Sequence, residues 1–362
     1  MTNQMWEEFC DRLRDAGRAL ETESAPTSPL DQAEGVRYLL RLLRNGTLIN
    51  IEHDDPRYPV FTNILDPNLR CKIGADNPDN IYMRARVSAA HRYRISGTPG
   101  NAATFTIGAK SRRDWSEETQ VSHGEINVHS LPLDDDGRFS IIASKEEPDS
   151  GPWLPMSDGT EQITGRQSFV DHANKKPADI TISVIDEEIP YEPLDVDQFA
   201  DQLRRATLHI TGVSSIFAEW TRLFMTRPHE LPDWGQERFV NAGGDPTIFY
   251  LHGYWNLAPD EAWVIETEVP DCEYWNFVLQ NWWMESLDYD RTNTHLNNFT
   301  GKTNEDGTLT IVVSAKDPGF GNWINTAGHD QGTALLRWVQ ADRHPIPTCR
   351  VITLSDEVAA SH

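Results

Sequence analysis

A glycine-rich stretch late in the chain holds the residue types that acid–base chemistry needs. His329 stands there near Asp317 and Asp330, and Arg337 follows. A histidine titrates near neutral pH, so an imidazole oriented by a carboxylate can accept or donate a proton. We expect His329 to be the acid–base group, with Asp317 or Asp330 as its orienting partner. Arg337 and Asn322 are expected to form a polar clamp that holds a developing oxyanion or a substrate carboxylate.

The same residues also have a structural interpretation. Gly319, Gly321 and Gly328 permit close backbone approach in this stretch. A histidine can tie such a loop together through hydrogen bonds, and Arg337 can pair with a buried acid. The residues alone leave both interpretations open.

The segment Glu273–Trp283 alternates between two faces, as a β-strand does. The face expected in the core carries Trp275, Phe277, Leu279, Asn281 and Trp283. The other face carries Tyr274, Asn276, Val278, Gln280 and Trp282. Amide and phenol groups beside an indole suit a hydroxylated apolar molecule such as a sugar, a steroid or an aromatic compound. This second face is predicted to line a pocket, and the alternative is a polar surface or an inter-domain contact.

The chain repeats itself about 170 residues later. Residues 136–142 return as residues 306–312, and each copy begins with the Asp-Gly pair of a hairpin turn. A period this long indicates a duplicated domain, because solenoid repeats span roughly 20–50 residues. Features in both copies are expected to be architecture, whereas features in one copy are candidates for function. Without a gap, His329 falls opposite Gly159, and this difference makes His329 the first candidate.

The turn at Asp76-Asn77-Pro78-Asp79 is a further candidate. Its counterpart in the second copy, Gly244-Asp245-Pro246, lacks the asparagine and the second aspartate. Asn77 and Asp79 are therefore expected to contact the substrate. An Asn-Pro turn held by the asparagine side chain explains them equally well.

One predicted strand carries a set of residue types that can bind a metal. His123, Glu125, Asn127 and His129 share its face, and histidine with glutamate binds metals inside cupin-type jelly rolls. The spacing matches no such signature, and an exposed polar face is the commoner outcome. We therefore expect no metal site.

The fold is predicted to be mainly β with α additions. Ser28 and Pro29 begin a helix that is expected to stop at Asn45-Gly46, and helical spacing returns after Asp195, with an interruption near Gly212 that suggests two helices. The predicted parts are an N-terminal helical segment at 1–46, a jelly-roll-like β-sandwich at 47–194, a helical connector at 195–240 and a second β-sandwich at 241–362.

Composition limits the partners. The 362 residues include 56 acidic and 32 basic side chains, a net charge of −24, which would repel nucleic acid and an anionic membrane surface. Cys10, Cys71, Cys272 and Cys349 form no C-x-x-C pair, no secretory leader is recognisable and no apolar run approaches the roughly 18 residues of a membrane span. We expect a cytoplasmic protein.

Two groups of motifs resemble a known bacterial family. Residues 317–338, from Asp317-Pro318-Gly319 to Leu336-Arg337-Trp338, resemble the signature of domain of unknown function 1214, DUF1214. Tyr274-Trp275 and Glu285-Ser286-Leu287-Asp288-Tyr289 belong to the same resemblance, which covers about 240–355. The first half is similar to the upstream region often attached to that domain. The resemblance implies jelly-roll-like domains and the possibility of a homo-oligomer, and it implies no settled activity.

These observations lead to two function hypotheses. The sequence has no P-loop, no dinucleotide fingerprint, no G-x-S-x-G and no H-E-x-x-H, so we expect an enzyme without cofactors. It would be a hydrolase or lyase of small-molecule catabolism, using His329 on a steroid, terpenoid or aromatic substrate. The alternative is a non-catalytic tandem module that binds a carbohydrate or a lipid-like ligand.

Overall fold

A computed structural model describes residues 2–65, 71–111, 121–185 and 188–354. The chain divides into two compact units. The first unit is made of Met1–Ala16, Leu40–Cys71 and Asp79–Gly212, and the second is made of Gly17–Leu39, Lys72–Pro78 and Val213–His362. The parts of the predicted segments that fall on 1, 66–70, 112–120, 186–187 and 355–362 lie outside the described residues. The domain boundaries given by the sequence stay predictions.

The helices follow local signals closely at their starts. They are α1 (Thr2–Gly17), α2 (Pro29–Thr47), α3 (Val196–Phe224) and α4 (Gln236–Asn241). The predicted cap at Ser28 is present, because its Oγ accepts a hydrogen bond from the backbone N–H of Asp31 (3.1 Å) and donates one to the Asp31 carboxylate (2.8 Å).

Two helix predictions were wrong in detail. α2 passes Asn45-Gly46 and continues into a π-helical turn at Leu48–Glu52. Gly46 serves close packing there, since a Cβ on it would lie 2.9 Å from the Ala206 carbonyl oxygen. α3 is one continuous helix through Gly212, because a single glycine costs only about 1 kcal/mol in a helix whose apolar spacing is unbroken.

The first unit contains two sheets among its described residues. Its strands are β1 (Thr62–Leu65), β2 (Asn80–Arg86), β3 (Arg92–Thr98), β4 (Thr104–Ser111), β5 (Ser122–Asn127), β6 (Phe139–Ser144), β7 (Trp153–Pro155), β8 (Thr160–Ser168) and β9 (Asp179–Ile185). One sheet has the order β1-β2-β8-β4-β5 and the other β7-β6-β3-β9. Alternate side chains of both sheets fill one core, which includes Tyr93, Ile95, Phe105, Ile107, Phe139 and Ile141.

The second unit repeats this arrangement. Its strands are β10 (Ile248–Asn256), β11 (Glu261–Glu268), β12 (Tyr274–Leu279), β13 (His295–Asn297), β14 (Thr308–Ser314), β15 (Asn322–Asn325), β16 (Gln331–Val339) and β17 (Thr348–Thr353). The orders β10-β16-β12-β13 and β15-β14-β11-β17 match β2-β8-β4-β5 and β7-β6-β3-β9 of the first unit. In the first unit β7 pairs in parallel with β6, and β6 pairs antiparallel with β3. In the second unit β15 pairs in parallel with β14 in the same way, and β14 pairs antiparallel with β11.

Equivalent side chains make equivalent bonds in the two copies. The indole Nε1 of Trp153 donates to the Ser144 carbonyl oxygen, and that of Trp323 donates to the Ser314 carbonyl oxygen, both at 3.1 Å. The hairpin glycines predicted from Asp-Gly have positive φ, 74° at Gly137 and 82° at Gly307. The chain is therefore a tandem of two β-sandwiches, as the duplication predicted.

β12 is shorter than the alternating pattern suggested. Trp275, Phe277 and Leu279 lie in the core as expected, but the strand ends at Leu279. Asn281 forms a turn in which its side-chain oxygen accepts from the N–H of Trp283 (3.0 Å) and of Glu285 (3.1 Å). An asparagine that offers its side chain to the following backbone competes with strand pairing, so Asn281 and Trp283 leave the predicted core face.

Candidate functional site

His329 lies in the tight turn between β15 and β16. Its backbone N–H donates to the Thr326 carbonyl oxygen (3.0 Å), and Ala327 and Gly328 have φ of 52° and 86°. Glycine adopts this left-handed region without strain, and the Asn325 side chain holds the non-glycine position by accepting from the N–H of Ala327 (2.6 Å). The turn Asn325-Thr326-Ala327-Gly328-His329 thus fixes the backbone position from which the imidazole extends.

The same turn exists in the first copy, but with a different alignment. There Thr160 N–H donates to the Ser157 carbonyl oxygen (2.9 Å), and Gly159 has φ of 91°. Gly159 therefore corresponds to Gly328, and His329 corresponds to Thr160. The gapless register was wrong by one residue here, although the second copy alone still carries the histidine.

The orienting carboxylate of His329 comes from α2. Nε2 of the His329 ring lies 2.8 Å from Oε2 of Glu34, and Nδ1 of the same ring lies 3.2 Å from the Thr326 carbonyl oxygen. The Asn281 amide also donates to Oε2 of Glu34 (2.8 Å). The exposed side-chain fraction is 4% for His329 and 12% for Glu34, so the pair is almost removed from water.

This contact changes the proton affinities of both partners. Burial alone would raise the pKa of Glu34, but the hydrogen bond and positive charge of His329 lower it to about 2. Burial alone would lower the pKa of His329, but the hydrogen bond and charge of Glu34 raise it. Both ring nitrogens face acceptors, which favours the doubly protonated ring. The pair is an imidazolium–carboxylate ion pair.

Two more titratable groups surround the ion pair. Asp31, one turn before Glu34 on α2, is buried, and burial raises the pKa of its carboxyl. Tyr254 on β10 donates to the Gln331 side-chain oxygen (2.5 Å), and burial and the charges of Asp31 and Asp330 raise the pKa of its phenol. Neither Asp31 nor Tyr254 was predicted from the sequence as a site residue.

The predicted aspartate partners of His329 lie elsewhere. Asp317 accepts from the N–H of Gly319 (2.9 Å) and stabilises an exposed turn. Asp330 is exposed, and its charge raises the pKa of Asp31 and of Tyr254. The prediction of either as the orienting carboxylate was wrong, because the nearest carboxylate comes from a helix about 300 positions earlier.

Asn322 has a structural role. Its side chain accepts from the N–H of Lys302 (2.8 Å) and donates to the carbonyl oxygens of Lys302 (2.9 Å) and Thr310 (2.8 Å). All three bonds go to backbone, so the side chain fixes the start of β15. The structure does not place it beside Arg337 as a clamp.

Arg337 belongs to a buried polar network with three predicted substrate residues. Its guanidinium donates to the Asn276 side-chain oxygen (3.3 Å) and to the Ala75 carbonyl oxygen. The Asn276 amide donates to Asn77 (2.6 Å), and the Asn77 amide donates to the Tyr274 hydroxyl (3.2 Å). All four side chains are buried. The network fastens the segment Lys72–Pro78 to the outer face of the β10-β16-β12 sheet.

The remaining residues of the predicted pocket face are also buried. Gln280 accepts from the Thr333 hydroxyl (2.7 Å) beside the end of β12. Trp282 is fully buried in the turn after it and packs against Trp283 at 4.6 Å between ring centroids. The predicted aromatic–amide face is thus a second packed layer of the unit.

Asp79 and the strand that carries His123 and Glu125 lie in the first unit. The Asp79 carboxylate contacts Nε2 of His172 (2.7 Å), and its backbone accepts from Phe169. His129 lies in a 3-10 turn after β5, where its Nε2 meets the Ala102 carbonyl oxygen (3.0 Å), whereas His123 contacts the Ser157 hydroxyl (2.6 Å). The two histidines therefore do not share one strand face.

The second unit also has an open cleft of about 720 Å³. Glu266, Glu268, Asp306, Arg343 and His344 contribute to its walls. Glu268 pairs with Arg343, and Asp306 caps the backbone of its own turn. The cleft contains none of the predicted site residues.

The fold and the site define a tandem β-sandwich protein in which the second sandwich carries a buried acid–histidine pair. The family described as "Protein of unknown function (DUF1214)" matches residues 82–166 and 256–343. A crystal structure of an uncharacterized protein from Burkholderia cenocepacia is 37% identical, with a TM-score of 0.92 and 98% of each chain covered. The chain belongs to the DUF1214 family.

A more distant structure shares the fold alone. The VPA0106 protein from Vibrio parahaemolyticus is 11% identical, with a TM-score of 0.51 over 95% of this chain and 100% of that chain. None of the curated proteins matches the chain. Among the described residues, no helix combines the length and the apolar character that crossing a membrane requires.

Proposed function

We propose that the chain is a cytoplasmic, cofactor-independent enzyme of small-molecule catabolism. It is a hydrolase or lyase that acts on a hydroxylated, largely apolar substrate such as a steroid, a terpenoid or an aromatic compound. One observation carries the proposal: His329 lies 2.8 Å from Glu34, and that carboxylate is itself held by Asn281. An imidazole oriented by a fixed carboxylate is a common device for proton transfer.

The ion pair gives His329 a specific role. Because the ring is an imidazolium, it acts first as an acid or as a stabiliser of negative charge on substrate oxygen. Its contact with the Thr326 carbonyl oxygen is the longer of its two contacts, at 3.2 Å. A substrate oxygen is therefore expected to replace that carbonyl at Nδ1, while Glu34 keeps Nε2.

The binding-module alternative has less support. It needs the aromatic–amide face as a platform, and Tyr274, Asn276 and Trp282 are all buried. His329 is also buried, but Gly328 and Asp330 on either side of it are exposed. Glu34 keeps 12% of its side chain exposed, whereas Asn276 and Trp282 have no exposed surface.

The test combines a ligand screen with turnover. Steroids, terpenoids and aromatic compounds are screened by thermal shift on the wild type and on His329→Gln, and each hit is followed for chemical change by mass spectrometry. We expect hits that still bind His329→Gln but are turned over at least about 100-fold more slowly, the usual contribution of a proton-transfer group.

The matched control is His344→Gln, which replaces an exposed histidine of the open cleft. It should leave turnover unchanged. Equal turnover by the wild type and His329→Gln would refute the proposal, and so would a loss confined to His344→Gln. A ligand that binds the wild type without being converted would support the binding module.

A further inference from the structure

Asp31 has a feature that its position at the helix start does not explain. Its Oδ2 accepts from the Ser28 hydroxyl (2.8 Å), whereas its Oδ1 is buried and has no hydrogen-bond partner within the described part of the chain. The residue is only 2% exposed. A carboxylate that serves a helix N-terminus is normally solvated and ionised, and leaving a buried ionised oxygen unpaired is costly.

The groups around Asp31 shift its pKa in both directions. Ser28 caps the helix of Asp31, and Glu34 lies on that helix. The turn before β16 brings His329 and Asp330, and β10 brings Tyr254. Burial raises the pKa of Asp31 most, Ser28 and His329 lower it, and Asp330 and Glu34 raise it again, with a net rise. An ionised Asp31 would add a third negative charge beside Glu34 and Asp330.

The two acids of α2 are therefore in different states. Glu34 is ionised, because its pKa is about 2. In Asp31 the oxygen that can carry a proton is Oδ1, and no described group takes that proton. Pairs of acids whose surroundings move their proton affinities apart are the usual arrangement when one of them donates a proton.

We propose that Asp31 is the proton donor of the site and that it serves the oxygen atom of a departing alcohol or water. This inference rests on the proposed function and deepens it. The O–H bond of Asp31 breaks and its proton goes to the departing oxygen, while the carbon–oxygen bond breaks and leaves its electron pair on that oxygen. In hydrolysis, water adds its hydroxyl to the carbon and releases a proton. In elimination, the neighbouring carbon loses a proton and the electron pair of its C–H bond forms a carbon–carbon double bond. In both cases solvent water takes the released proton, and solvent returns one to Asp31.

The first test measures the proton directly and needs no substrate. The side-chain carboxyl carbons of aspartate are labelled with ¹³C and titrated by NMR, and Asp31→Asn assigns the Asp31 signal. Asp306 serves as the internal reference, because the hydrogen bonds from Thr308 lower the pKa of its exposed carboxyl. We expect Asp31 to titrate above the ordinary aspartate range and Asp306 below it. An Asp31 signal that titrates with Asp306 would overturn the inference.

The second test uses a substrate found in the screen and an analogue whose leaving group departs without protonation. Asp31→Asn should lower kcat by about 100-fold or more on the first and by much less on the second. It should also remove the fall in activity at high pH. Ser28→Ala, which removes a hydrogen bond that lowers the pKa of Asp31, should move that fall to higher pH.

The outcomes separate the two proposals. Equal losses on both substrates would mean that Asp31→Asn damages structure, and the inference would fail. Unchanged activity in Asp31→Asn beside lost activity in His329→Gln would overturn the inference and leave the proposed function intact. Absence of turnover by the wild type would overturn the proposed function, whatever the NMR titration gives.

Discussion

Replacing Glu34 by glutamine tests whether the His329 ion pair stabilises the second unit. The pKa of Glu34 falls from 4.5 to about 2 in the folded protein, and one pKa unit corresponds to about 1.4 kcal/mol. The ionised carboxylate therefore contributes about 3 kcal/mol to the free energy of unfolding. Loss of one partner of a buried pair costs a similar amount, so we expect Glu34→Gln to lose about 3 kcal/mol.

The pH dependence gives an independent check of the sign. The pKa of Glu34 is lowered by folding, so its contribution is complete above 4.5 and disappears as the pH falls towards 2. The pKa of His329 is raised by folding, so its contribution is complete below 6.5 and disappears as the pH rises through its folded value. Both describe one ion pair, which is therefore most stabilising between 4.5 and 6.5.

The assay is urea unfolding followed by tryptophan fluorescence, since most of the chain's 12 tryptophans belong to the second unit. A double-mutant cycle of Glu34→Gln and His329→Gln at pH values inside and above that window gives the coupling energy. Arg37→Gln is the matched control, because Arg37 bonds the other oxygen of Glu34 from a side chain that is 53% exposed, and such pairs contribute about 1 kcal/mol or less. A coupling below about 0.5 kcal/mol, or one unchanged by pH, would refute the ion pair.

Three further substitutions have defined outcomes. His252→Phe should raise the free energy of unfolding, measured with urea, by about 1 kcal/mol and remove a loss of stability below pH 6.5, since burial holds the pKa of His252 well below that value and its Nδ1 has no partner among the described residues. Gly97→Ala should cost about 2 kcal/mol in the first unit, measured by hydrogen exchange, because its Cβ would lie 1.9 Å from the Asp179 carbonyl oxygen. Asn276→Ala should cost about 2 kcal/mol by removing two buried hydrogen bonds, to Asn77 and from Arg337, and a loss under about 0.5 kcal/mol would contradict the buried network.

Most of the fold could be predicted because its signals are local. Ser28 and Pro29 identify the start of α2, Asp-Gly identifies both hairpins, and a period of two identifies the strands. The errors occur where packing overrides a local signal. Gly46 suggested a helix end, but it is the point where the Ala206 backbone approaches α2.

The site was less predictable for the same reason. His329 could be predicted as a candidate because only the second copy has a histidine at this position. Its orienting carboxylate was predicted wrongly, because the aspartates nearest in sequence were chosen. Asp317 and Asp330 turn towards backbone or solvent, whereas Glu34 reaches the ring from α2. A helical pattern reveals which face of α2 is apolar, and it does not reveal which loop that helix meets. The burial of Asn276 likewise depends on a segment from outside the second copy.

Comparing the two copies identifies His329 but not Asp31 and Glu34, because these two acids do not come from the repeated part of the chain. The sandwiches share strand order, hairpin glycines and the Trp153 and Trp323 bonds, so those features belong to the duplicated framework. The second unit alone takes in Gly17–Leu39, the part of the chain that carries Asp31 and Glu34. These acids lie before the first copy and have no counterpart in the repeat. The duplication therefore identifies the histidine, whereas Asp31 and Glu34 come from the part of α2 that belongs to the second unit.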